Sequence, residues 1–221
     1  MSADPMMLQF TQAPPTMQSN EKVWGLLPEN GEDEIEDMHF FLVAQQEAQV
    51  VNDGSEVQVL DDAQLNCPVV ELLGPRGALT FACNVPHRYL GIHMRHLHKF
   101  LTIEVDVVDS SKKYRKFHLS TRRSIATVTD EVCEMPMMMQ SDDWQLVMLD
   151  LQDMCARAYG TDYESMAQVK INATCRVAKV YMADALYSDA EMPAHLRAVK
   201  PEKIAGKMEY NLDGAVAGRI F

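Results

Sequence analysis

Three histidines are the first residues in this chain that could do chemistry, spaced His93-x-x-His96-x-His98. On a helix His93 and His96 would share a face, and on a strand His96 and His98 would. Neither arrangement adds a cysteine or carboxylate at ligand spacing, because Glu104 and Asp106 fall on the strand that follows. The group therefore reads as solvated histidines at a strand entrance, with no metal and no cofactor expected. Nucleophile motifs of the Gly-x-Ser-x-Gly or His-Glu-x-x-His kind do not occur, and Ser124 and Ser165 read as ordinary strand residues. Asp142 and Asp143 are adjacent, so they cannot straddle a substrate as a glycosidase pair does, and they read as a turn before Trp144. Gly74-Pro75-Arg76-Gly77 lacks the lysine and the following helix of a phosphate loop and reads as a turn too. No enzyme is expected from this set of residues.

What remains is charge and surface. The formal net charge is −12, but residues 1–90 hold 14 acidic and 3 basic side chains, whereas residues 91–200 hold 15 and 14. The acidity thus belongs to the N-terminal part, densest at Glu32-Asp33-Glu34-Ile35-Glu36-Asp37. Nucleic acid and anionic membrane are excluded as partners, since phosphate binding draws on clustered lysine and arginine against a favourable overall field. The single positive concentration is Lys112, Lys113, Arg115, Lys116, Arg122 and Arg123. It reads either as a solvated hairpin tip or as a cationic rim facing an acidic partner. Met135, Met137, Met138 and Met139 fill gaps between sheets or offer an adaptable surface, and four such neighbours cannot all face one core.

The elements that must position these residues are short strands. Leu101, Ile103, Val105 and Val107 alternate with Thr102, Glu104 and Asp106, the period of a half-buried strand, and Phe117 and Leu119 resume the inward face after a turn at Asp109-Ser110-Ser111. The consistent register sets Ile103 against Leu119 and Val105 against Phe117, which also places Glu104 opposite His118 and Asp106 opposite Lys116. Val69–Leu73 and Ala78–Ala82 read as a hairpin across the Gly74–Gly77 loop. Trp144–Leu149 is apolar on both parities, as in a strand covered on both faces. Asp150 can cap a short helix through Met154 and Ala158 that Gly160 ends. Gln168–Asn172 and Val177–Met182 return to strand character, and Ser188-Asp189-Ala190-Glu191 has the form of a capping box that Pro193 cuts to about a turn. Within the acidic stretch, His39–Val43 and Val57–Leu60 are each short enough to be strands. The predicted core is Ile103, Val105, Val107, Phe117, Leu119, Trp144, Leu146, Val169 and Ile171. Five widely spaced cysteines, with no Cys-x-x-Cys, argue for reduced thiols rather than a disulfide frame. No run approaches the ~18 apolar residues of a membrane span, and the N-terminus lacks the pattern of a signal peptide.

Several segments are familiar in order and spacing. Arg157-Ala158-Tyr159-Gly160-Thr161-Asp162-Tyr163 ends the helix, Cys175-Arg176 leads into Val180-Tyr181, and Leu186-Tyr187-Ser188-Asp189-Ala190-Glu191-Met192-Pro193 follows. Phe100–Val105, Cys133-Glu134-Met135-Pro136-Met137, Val70–Gly74 and Leu90-Gly91-Ile92 add to the set. Together they resemble the cilia- and flagella-associated protein 20 family, small proteins of the inner junction of doublet microtubules, over about residues 67–199. The resemblance implies an all-β, jelly-roll-like β-sandwich similar to carbohydrate-binding modules, with one short helix. It implies a non-enzymatic structural protein of the cilium or flagellum axoneme, bridging A- and B-tubules. Its partners would be α/β-tubulin and other inner-junction proteins such as the Parkin co-regulated protein.

This chain departs from the family in being acidic rather than basic, and in reading Asp142-Asp143-Trp144 where the family has Asp-Gly-Trp. It therefore looks like a divergent member or paralogue. The expected organisation is an N-terminal arm at 1–28, an acidic insertion at 29–66, the sandwich at 67–200 and a tail at 201–221. The rival expectation is a sandwich that binds a glycan or peptide, which would need exposed aromatics on one sheet.

Overall fold

The computed structural model describes residues 56–192 except positions 76 and 140, residues 196–197, and four outlying strands by their backbone. The strand expected at His39–Val43 lies outside the described residues. In chain order the elements are β1 (Val23–Leu27), β2 (Glu56–Asp62), β3 (Cys67–Leu73), β4 (Ala78–Val85), β5 (Tyr89–Asp109), β6 (Tyr114–Ser120), β7 (Thr127–Val128), β8 (Val132–Pro136) and β9 (Trp144–Asp150). They continue with α1 (Leu151–Tyr159), β10 (Tyr163–Ala183), β11 (Glu202–Ile204), β12 (Lys207–Glu209) and β13 (Val216–Arg219).

Two 21-residue strands organise everything else. β5 and β10 run antiparallel along their whole lengths, from Tyr89 opposite Ala183 to Asp109 opposite Tyr163. The outer edge of β5 takes β9 along residues 89–95 and then β6 along 102–108. The outer edge of β10 takes β4 along 166–172, β3 along 175–177 and β1 along 180–183. Each long strand thus serves two sheets. One is β4–β10–β5–β6–β8–β7, and the other is β2–β3–β10–β5–β9–β13. The strands pass between them where four residues of β5, Leu97–Phe100, bulge out opposite Thr174.

Residues from both halves share one core, so the chain is an all-β sandwich with a single short helix among the described residues. Ile92, Met94, Val147 and Leu149 from one half pack in the same cluster as Ile103, Val105, Phe117 and Leu119 from the other. Val107, Val169 and Ile171 join them. Each such side chain contributes about 1.5–3 kcal/mol by leaving water. The β5–β6 register is the one that alternation specifies, with Ile103 opposite Leu119 and Glu104 opposite His118.

Two expected features take a different form. β3 and β4 do not pair with each other; they follow one another along the same edge of β10, both antiparallel to it. An edge 21 residues long seats both, and the turn at Gly74, at φ 81°, steps the chain from one to the next. Trp144 and Leu146 are both outside the central core. Trp144 is buried in a separate cluster with Val69 and Ala178. Leu146 is half-buried against a smaller cluster of Tyr181, Ala183, Met192 and Leu196 on the far face of the second sheet.

β2 pairs along its full length with β3, from Glu56 opposite Leu73 to Asp62 opposite Cys67, so the sheet extends upstream of residue 67 into the stretch assigned to an insertion. In the stretch read as a tail, β13 adds in parallel to β9. α1 has the expected ends: the Asp150 carboxylate accepts from the Asp153 N–H at 3.0 Å, and Gly160 closes the helix at φ 65°.

Candidate functional site

The β5–β6 tip is built around one carboxylate. Asp109 is fully buried, and its Oδ1 accepts from the Ser111 N–H, the Ser111 hydroxyl and the Lys113 N–H at 2.9, 2.6 and 3.0 Å. Its Oδ2 accepts from Arg115 Nε at 2.7 Å and from the Thr161 hydroxyl at 3.3 Å. Burial pushes this carboxyl up, but the Ser111 and Arg115 donors and the Lys113 N–H more than offset it, and it sits well below the usual carboxylate range. The turn these bonds close carries Lys112 at φ 61°.

The six cations marked as a rim separate on this frame. Arg115 is a correction: it is buried, not outward. It shares the inward parity of Phe117, pairs with Asp109, donates to the Asp130 carbonyl, and lies 4.3 Å over the Tyr159 ring. Lys112 is exposed and ion-paired with Glu164. Lys113 is exposed at the tip. Lys116 is partly exposed, 3.5 Å from Glu104 and 3.7 Å from Asp106. Arg123 pairs with Glu134. Arg122 is exposed and stacks 4.1 Å above the Phe100 ring. Most of the apparent positive rim is therefore neutralised within the fold.

A second polar network crosses the outer face of the other sheet. Arg176 Nε donates to Glu71 Oε2 at 2.7 Å, and its Nη1 lies 3.2 Å from Asp62 Oδ2. Asp62 Oδ1 accepts from Trp144 Nε1 at 3.2 Å and from the N–H groups of Gln64 and Leu65. Gln58 Nε2 donates to Glu71 Oε1 at 2.9 Å. Burial raises the Asp62 carboxyl, but the Leu65 and Gln64 N–H groups, Trp144 and Arg176 bring it below its ordinary value. This network ties β2, β3, β9 and β10 by side chains across their ladders.

Comparison with known proteins agrees with this frame. The CFA20 domain matches residues 42–200. The chain belongs to the CFA20-domain family. Relatives named Cilia- and flagella-associated protein 20 from Caenorhabditis briggsae and Chlamydomonas reinhardtii are each 32% identical over 154 residues, covering 66% of this chain and 75% and 80% of theirs. The Paramecium tetraurelia relative is 31% identical, covering 66% of this chain and 80% of its own. Identity near one third fits a divergent member. A solved exo-beta-agarase aligns at TM-score 0.30 and 7% identity over 63% of this chain and 24% of its own, too little to bear on the fold.

In this CFA20 domain the segments that carry the resemblance are occupied with holding the sandwich. Tyr159 covers Arg115 and tilts against Phe117 at 5.7 Å. Thr161 bonds Asp109, and the Tyr163 hydroxyl donates to the Val85 carbonyl at 2.9 Å. Cys175 is fully buried, which raises its thiol, while Arg176 beside it serves the outer network. Gly91 lies under Tyr181: a Cβ there would come 2.3 Å from Tyr181 Cζ. The Ser188 N–H and hydroxyl both donate to Glu191 Oε2, closing the expected single turn.

The three clustered histidines divide: His93 is buried rather than solvated, while the His96 and His98 rings lie together with centroids 6.2 Å apart. His93 is buried beside Trp144, with ring centroids 5.3 Å apart, and burial followed by the Lys179 charge lowers it to about 4. His96 Nε2 meets the Lys99 carbonyl, and His98 lies 3.3 Å from Asp142. Of the methionines, Met137 is buried, Met135 and Met139 line the core, and Met138 is 79% exposed.

Sequence reasoning missed the Arg176–Glu71–Asp62 network. The signal was a lone Glu71 inside Val69-Val70-Glu71-Leu72-Leu73, because a charge amid apolar strand residues needs a partner.

Proposed function

We propose that this chain is a cilia- and flagella-associated structural protein that works without catalysis, bridging the A- and B-tubules of axonemal doublets at the inner junction. Its partners in this reading are α/β-tubulin and other inner-junction proteins such as the Parkin co-regulated protein. The observation that carries the proposal is the use made of the family-like residues. Tyr159, Thr161, Tyr163, Arg176, Trp144 and Gly91 are spent on internal bonds and close packing. With these residues committed to the fold, the reading is that the domain acts as a rigid wedge between neighbours.

Axonemal doublets incubated with the purified chain and pelleted through high-salt washes test this. Retention in the pellet at a saturable ratio to tubulin is the expected result. Loss in the first wash would remove the doublet reading. A sugar-binding sandwich needs a row of aromatics on one sheet, and Tyr114, the large exposed aromatic among the described residues, stands alone at the hairpin tip.

A further inference from the structure

We propose that the bulge where β5 passes between the sheets, with the loop beside it, is a docking surface for a carboxylate-rich protein segment. Lys99, Phe100 and Arg122 form its centre and Ile125 its apolar margin. The inference deepens the bridging role above and rests on that reading.

The surface is built, not incidental. Leu97–Phe100 leaves the β10 ladder between His96, opposite Cys175, and Leu101, opposite Ala173. His98 takes φ 57°, a left-handed conformation that is costly for a residue with a Cβ. Bulges of this kind re-aim side chains that a regular ladder would hold elsewhere. The ends are pinned: the Leu101 N–H donates to Thr121 Oγ1 at 2.9 Å, the Thr121 N–H donates back to the Leu101 carbonyl at 3.1 Å, and His96 bonds the Lys99 carbonyl. The loop after Thr121 therefore starts from a fixed position, and Arg122 lies flat over Phe100 at 4.1 Å.

Charge separates this place from the hairpin tip. At the tip Lys112, Arg115 and Lys116 each face a carboxylate of the domain, leaving Lys113 as the one exposed tip cation without such a pair among the described residues. In the loop Arg123, next to Arg122, is paired with Glu134. No carboxylate or carbonyl among the described residues accepts from the side chains of Lys99 or Arg122, both of them exposed. The nearby acids are engaged, Asp142 with His98 and Glu134 with Arg123. A stacked guanidinium is pre-organised and keeps its fork of donors for a planar carboxylate. Ile125, three residues on in the same loop, is 72% exposed. Two open cations, a half-buried aromatic and an exposed isoleucine fit a peptide that presents carboxylates with an apolar side chain among them. A nucleic acid fits less well, because the whole chain carries −12.

Binding of a fluorescein-labelled polyglutamate peptide to the full chain, followed by anisotropy at low salt, tests the surface. Lys99→Glu with Arg122→Glu should weaken binding about tenfold, and Lys112→Glu with Lys113→Glu less than about threefold. Arg122→Gln, which removes charge without adding a repulsive one, should also weaken it if the double variant does not fold. Absence of binding by the native chain, equal loss from both pairs, or equal binding of a polythymidine oligonucleotide would overturn the inference. Doublet pelleting of the same proteins separates the two readings. Peptide binding through Lys99 and Arg122 without pelleting keeps the surface and removes the doublet assignment. Pelleting unaffected by Lys99→Glu with Arg122→Glu keeps the assignment and removes the surface.

Discussion

Arg115→Ala distinguishes a rim cation from a buried keystone more sharply than any other substitution. The native side chain bonds Asp109 at 2.7 Å, serves the Asp130 carbonyl and stacks on Tyr159 at 4.3 Å. Truncation leaves Asp109, which has no exposed surface, without its countercharge. Removing one partner of a buried pair costs about 3–5 kcal/mol. Asp109 keeps four donors, from Ser111 twice, Lys113 and Thr161, so the lower end applies, about 3 kcal/mol. With a urea slope of about 2 kcal/mol/M, the unfolding midpoint falls by roughly 1.5 M. Equilibrium urea unfolding followed by far-UV circular dichroism reads this directly. The pH dependence supplies a second readout. Asp109 is depressed in the fold below its ordinary 3.8, so its contribution is present above about that pH and is lost as pH falls further. In Arg115→Ala the carboxylate should protonate at higher pH, moving acid unfolding upward. An unchanged midpoint with weakened doublet binding would refute this reasoning and return Arg115 to the surface.

Trp144→Ala should cost about 3–5 kcal/mol, since it removes a buried aromatic and the Nε1 bond to Asp62; Trp144→Phe, which loses chiefly that bond, should cost far less by the same denaturation assay. Gly91→Ala should destabilise by about 1–3 kcal/mol, because Tyr181 is buried and cannot retreat from the added methyl; a thermal midpoint equal to the native one would contradict that contact. His93 should make stability fall as pH drops from about 6.5 toward 4, because the unfolded chain takes up a proton there that the buried imidazole refuses, worth up to about 3 kcal/mol. His93→Leu should flatten the stability–pH curve in that window. Reversing Lys112, Lys113 and Lys116 to Glu should leave the sandwich folded and turn internal ion pairs repulsive, costing about 1 kcal/mol or less per exposed pair by urea unfolding.

The strands were legible because burial on one face writes a period of two into the sequence. Leu101 to Val107 against Phe117 and Leu119 admits one register, and a slip of one residue would have put every apolar side chain in water. The helix was legible from its two end residues, Asp150 and Gly160. Pairing between distant strands was not. Nothing local tells β4 whether to fold back on β3 or to continue along β10, and the choice depends on an edge formed about 90 residues later. The parity that placed Phe117 and Leu119 inward also applied to Arg115, and it went unread because a cation near a turn looks solvated. Its partner Asp109, beside Ser110 and Ser111, has the sequence context of a turn residue. The Phe100–Arg122 stack joins a bulge to a loop, neither of which carries a period.

The continuity of β5 and β10 bears on what such a domain can do mechanically. In a sandwich whose sheets are joined only by loops, one sheet can slide over the other at the cost of side-chain packing. Here the two central strands of both sheets are the same two strands, each covering roughly 70 Å of path at about 3.3 Å per residue. Shearing the halves would break their shared ladder as well as the common core of Ile92, Met94, Ile103 and Val105. The largest break in that ladder is Leu97–Phe100, and there the chain is tied across to Thr121 instead of left loose. A body stiffened in this way can pass force from one end of the sandwich to the other. A flexible linker between two independent sheets could not.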